Sequence, residues 1–145
     1  MSSTPAKYIL AAGCLAVLAI VTVKPAFPAD APALSVQELM QSVITPATNT
    51  LWGAYQVKDD EWQNLETAAQ GVIQAGESLL QGGTGSNDAA NAANQDWQEW
   101  SNQMIAAGRD ALAAIRNRNE EVLSSVGNDE LYPPCESCHN KYMPH

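Results

Sequence analysis

From Leu34 onward the chain carries its apolar residues three and four positions apart, a period that fits helices and little else. Ser35 stands as an N-cap with Glu38 three residues on, the capping-box pair. Val36, Leu39, Met40, Val43, Ile44, Ala47, Leu51, Trp52 and Tyr55 then share one face, with Pro46 placed to kink or break it. Asp59 or Asp60 is predicted to open a second helix, with Trp62, Leu65, Ala69, Val72, Gly76, Leu79 and Leu80 as its stripe. The run Gln81-Gly82-Gly83-Thr84-Gly85-Ser86-Asn87 stops it. A third, long helix is predicted from Asn94 to Val126, with Gly127 as its C-cap. Its stripe is Trp97, Trp100, Met104, Ala107, Ala111, Ile115, Val122 and Val126. A fourth begins near Asp129 and uses Pro133 or Pro134 in its first turn. No segment alternates like a strand. Four stripes, none able to bury itself alone, predict an all-α antiparallel four-helix bundle over residues 34–145. The tryptophans Trp52, Trp62, Trp97 and Trp100 are its simplest core anchors.

Residues 1–33 follow a different pattern. Lys7 precedes an uncharged apolar run, Tyr8 to Val23, and Lys24-Pro25-Ala26-Phe27-Pro28-Ala29 follows. A basic start, an apolar stretch and then small residues make a secretory leader, with Ala31-Pro32-Ala33 fitting the A-x-A cleavage pattern. The run is long for a signal peptide and slightly short for a membrane span, so an uncleaved N-terminal anchor is the alternative. Cys14 lies within it and reads as a leader residue with no chemistry.

Charge narrows the partners. All sixteen Asp and Glu lie beyond residue 29, against Lys58, Arg109, Arg116, Arg118 and Lys141, so that part carries −11 where the whole chain carries −9. Such a surface repels nucleic acid and suits basic protein partners, or serves solubility alone.

Near the end stands Cys135-Glu136-Ser137-Cys138-His139. C-x-x-C-H is the attachment signature of a c-type haem. Two residues between the cysteines match the separation of the two vinyl groups that their sulfurs join. The next histidine is then positioned to bind the iron. Three other readings compete. Zinc would need a fourth ligand, and His145 is the one left, yet adjacent Cys and His rarely share one tetrahedral ion. A thioredoxin-like dithiol would follow a strand. A Cys135–Cys138 disulfide would close a very short loop and stabilise little. The leader favours haem, since covalent attachment in bacteria takes place outside the cytoplasmic membrane, as the likeness to c-type cytochromes implies. The expected compartment is the periplasm.

A helical bundle whose last helix carries C-x-x-C-H-x-x-Y (Cys135, Cys138, His139 and Tyr142) resembles the class II c-type cytochromes, the cytochrome c′ superfamily. The likeness covers residues 35–142. Its last eight residues are specific, and the rest matches in helix order and apolar pattern. Where the family often has a basic residue after the tyrosine, this chain has Met143. The resemblance implies one covalent haem c on Cys135 and Cys138, His139 as proximal iron ligand and Tyr142 packed near the proximal side. It also implies redox protein partners, basic or membrane-bound, and homodimers of the kind family members often form. Membrane contact is expected only if the N-terminal segment is retained.

In that family the first helix crosses the distal haem face, with an apolar residue in high-spin members and a methionine in low-spin ones. Aligning Gln37 with the family's polar residue there brings Met40 to the distal position, as a soft sixth ligand suited to electron transfer. Against this stand Met40 as core filler and Leu39 as a distal residue over five-coordinate iron. Met104 and His145 are further ligand candidates, and Arg109, Arg116 and Arg118 are candidates for the propionates. The leading expectation is single-electron transfer. The alternatives are a five-coordinate cytochrome c′ that binds nitric oxide or carbon monoxide, and a haem-bearing subunit docked on a membrane redox complex. No catalytic triad or second metal set points to an enzyme.

Overall fold

A computed structural model describes residues 34–143. The leader, its cleavage site, Cys14 and His145 lie outside this range. Within it all regular structure is helical, in five helices with no strand. We label them α1 (36–52), α2 (Trp62–Gln81), α3 (Asp88–Ala92), α4 (Gln95–Arg116) and α5 (120–142).

α1 starts as the sequence predicts. The Ser35 hydroxyl accepts the Glu38 N–H at 3.3 Å, and the Glu38 carboxylate accepts the Ser35 N–H at 2.8 Å, so two N–H groups that a helix start leaves orphaned are satisfied. Pro46 does not break the helix. Met40–Ile44 forms one wide π turn, in which the Thr45 N–H reaches back five residues to the Met40 carbonyl. A proline cannot donate, and its ring crowds the carbonyl four residues back; the wide turn stands directly ahead of that site. The same device recurs in α5. Val126–Leu131 is a second π turn, closed by the Tyr132 N–H on the Gly127 carbonyl, just before Pro133 and Pro134.

Three predicted boundaries move. The third helix does not run to Val126: it ends at Arg116, and the chain turns at 117–119. Arg118 takes a left-handed φ of 50°, and the Asn119 side chain then caps α5 by accepting the Val122 N–H at 3.0 Å. The predicted fourth helix therefore begins nine residues before Asp129, and Gly127 lies inside it rather than capping its predecessor. The new start turns the helix face, so Leu123 is buried and Val122, placed in the stripe by its spacing, is 44% exposed. At the other end of the chain, α2 opens at Trp62. Asp59 and Asp60 precede it, in a turn where the Lys58 N–H donates to the Glu61 carboxylate at 2.8 Å.

The core lies between α1, α2, α4 and α5. Positions 66, 76 and 79 of α2 meet 116, 105 and 97 of α4, falling along one helix as they rise along the other. Gly76 makes this approach close, because a Cβ there would lie 2.6 Å from Ile105 Cγ1. Trp97 is buried, and its indole N–H donates to the Leu79 carbonyl at 2.8 Å. Ala107 and Ala111 are buried as ordinary small core residues. The Asp88 carboxylate accepts N–H groups from both Val36 and Gly85, each at 2.8 Å, tying the loop after α2 to the start of α1.

Candidate haem-binding site

Three and four residues apart, Cys135, Cys138 and His139 share one face of α5. That face borders a cavity of about 130 Å³ that opens to solvent. α5 contributes Pro134, Cys135, Cys138 and His139. α1 contributes Met40, Ile44, Thr45, Thr48, Asn49 and Trp52, while Leu79 comes from α2 and Trp100, Ser101 and Met104 from α4. Nearly a hundred residues of chain thus separate the sides of one largely apolar space. His139 sits at its exposed rim, and both cysteines are half-buried free thiols.

Burial pushes the Cys135 thiol up and, with the charges of Cys135 and Asp96 beside it, pushes Cys138 up to about 11. Among the described residues, no cluster of three or more His, Cys, Asp or Glu side chains is grouped to hold a metal ion.

The two neighbouring distal candidates separate. Met40 is half-buried and lines the cavity, whereas Leu39 is 5% exposed, packs into the core and does not line it. Met104 also lines the cavity. Trp52 lines it too and is 42% exposed, so it is not the core anchor its spacing predicts.

Tyr142 stands outside the cavity lining. Its hydroxyl donates to Asp96 Oδ1 at 2.7 Å, and its ring packs edge-on against Trp97 and Trp100, centroids 4.9 and 6.1 Å away. Lys141 pairs with the other oxygen of Asp96. Those two partners, Lys141 first and then Tyr142, hold the Asp96 carboxyl below its ordinary range. The end of α5 is thereby fastened to the start of α4, beside Trp100 of the cavity wall.

Among the described residues, no arginine lines the cavity. Arg116 pairs with Glu66 at 3.2 Å, Arg118 pairs with Asp59, and Arg109 is exposed.

No protein-family model, curated protein or solved structure matches the chain.

Several lining residues escape a reading of apolar spacing. Thr48 is one turn beyond Ile44 and looks polar, but its hydroxyl donates to the Ile44 carbonyl at 2.9 Å within its own helix, which leaves the methyl group for packing. Ser101 is buried where Gly76 lets α2 approach. The four-residue series Met40, Ile44, Thr48, Trp52 was the signal that could have found this wall. Among the described residues, no helix is long and apolar enough to cross a membrane.

Proposed function

We propose that this chain is an exported class II c-type cytochrome, an antiparallel four-helix bundle of the cytochrome c′ type. It holds one haem c and passes single electrons to redox protein partners in the periplasm. What carries the proposal is one convergence: Cys135, Cys138, His139 and Met40, from opposite ends of the described chain, line a single apolar cavity.

These residues fit the group. Two half-buried thiols three positions apart on a helix can each join a vinyl carbon, fixing the ring against α5. His139, next in the chain, offers an imidazole nitrogen, and Met40 offers a thioether from α1. Only two protein ligands are needed because the macrocycle supplies the other four. Bound there, haem c supplies a one-electron ferrous/ferric couple. Ile44, Trp100 and Met104 give the cavity apolar walls, and apolar surroundings are one of the levers that set a reduction potential.

Met40 is favoured over Leu39 as the residue facing the iron because it alone of the pair lines the cavity. The test is to express the full chain with a c-type maturation system and record mass and ferric spectrum. The expected protein carries one covalent haem, is low-spin and shows the far-red methionine–iron band. Met40→Leu is expected to turn high-spin and to bind carbon monoxide. A wild type that is already high-spin and binds carbon monoxide readily would support the gas-binding alternative, and a chain without covalent haem would refute the proposal.

A further inference from the structure

A second recess, of about 260 Å³ and open to solvent, lies between the end of α1 and the outer face of α5. Trp52 lines this recess as well as the cavity beside Cys135 and Cys138. Tyr132 lines it too and packs edge-on against Trp52, with ring centroids 6.4 Å apart. Both rings are substantially exposed.

The rim is acidic. Ser124, Asn128 and Tyr132 line the recess at four-residue intervals, and the same interval reaches Glu120 on one side and Glu136 on the other. The Tyr132 hydroxyl donates to Glu136 at 3.2 Å, which brings that carboxylate to the edge of the aromatic pair. α5 also carries Glu121, Asp129 and Glu130, and no Lys or Arg before Lys141.

We infer that this recess is the docking face for a redox protein whose contact surface is basic around an apolar centre. The inference rests on the haem reading above. Exposed Trp and Tyr are the residue types that concentrate binding energy at interfaces, and a rim of one charge steers a partner of the opposite charge. Trp52 places such a partner one side chain away from the cavity. The exchange would move one electron from this chain's reduced haem to the oxidised redox centre of the partner, with no bond formed and no proton transferred.

The experiment mixes the reduced, haem-loaded full chain with a lysine-rich ferric c-type cytochrome and follows the reaction by stopped flow. Glu136→Lys is expected to lower the second-order rate constant about tenfold and to flatten its salt dependence. Tyr132→Ser is expected to lower it about threefold, with the rate to ferricyanide unchanged. Glu77→Lys makes the same charge change at an exposed position of α2 outside the recess; its expected loss is under about twofold. Equal losses from Glu136→Lys and Glu77→Lys would overturn the docking face, leaving net charge as the cause. A wild-type dimer that Tyr132→Ser dissociates would overturn it as well, assigning the recess to a second copy. A chain without haem would remove function and docking face together. A haem protein whose variants all react at the wild-type rate would remove the docking face alone.

Discussion

The indole N–H of Trp52 donates to the carbonyl of Gly127, 2.9 Å away and 75 residues on in sequence. That carbonyl also accepts the Tyr132 N–H that closes the wide turn of α5, so both of its lone pairs are used. A Cβ at position 127 would stand 3.1 Å from Trp52 Cδ1, so any side chain there must push the ring back by a few tenths of an ångström. Trp52→Phe should cost about 0.5–1.5 kcal/mol in urea unfolding. Gly127→Ala should be better tolerated in a Trp52→Ala background than alone, and a double-mutant cycle with no coupling would contradict this account.

Gly76 tests the close approach of α2 and α4. Alanine there gains helix propensity of up to about 1 kcal/mol, but its Cβ meets Ile105 at 2.6 Å and the Ser101 carbonyl at 3.4 Å. Overpacking of a core contact typically costs about 1–3 kcal/mol, so Gly76→Ala should be a net destabilisation. Its denaturation midpoint should fall; a rise would mean that α2 and α4 are free to separate.

The corrected start of α5 makes neighbouring residues behave oppositely. Leu123 is 1% exposed and Val122 is 44% exposed. Leu123→Ala should therefore cost about 2–5 kcal/mol, while Val122→Ala should change stability by less than about 0.5 kcal/mol. Had α4 continued without a turn to Val126, the order of these two losses in thermal unfolding would be reversed.

Acid should loosen the start of α1. The Ser35 hydroxyl, and after it the Ser35 N–H, hold the Glu38 carboxyl below its ordinary value of 4.5. A lowered folded-state value adds stability above the unfolded value and loses it as pH falls through the folded one. The Tm difference between wild type and Glu38→Ala should thus be largest above pH 4.5 and shrink as the solution becomes more acidic. A difference constant across that range would remove the carboxylate from the capping role.

What was legible in the sequence was local. Ser35 and Glu38 are three residues apart, and Cys135, Cys138 and His139 lie within one turn and a half, so neighbouring letters sufficed. The stripe of α2 was legible for the same reason. The turn at 117–119 was not, because Arg118 occupies the left-handed position where Gly or Asn would have flagged it, while Gly127 imitated a helix stop. Gly127 lies against Trp52, a partner 75 residues away that no window along the chain contains. Trp52 itself read as core because spacing records which face a residue takes, not whether another helix covers it.

The wide turns at Met40–Ile44 and Val126–Leu131 lie in the two helices that carry Met40 and the cysteine–histidine set. Each fits roughly one more residue into its turn than an α-helix would, and one residue is worth about 100° of rotation. The wide turn absorbs that extra residue, so closing either turn to α geometry with its residue count kept would swing everything beyond it by about 100°. The aim of each wall is therefore set by the width of its turn as much as by side-chain identity, and a one-residue deletion that removes the surplus should leave that aim nearly unchanged.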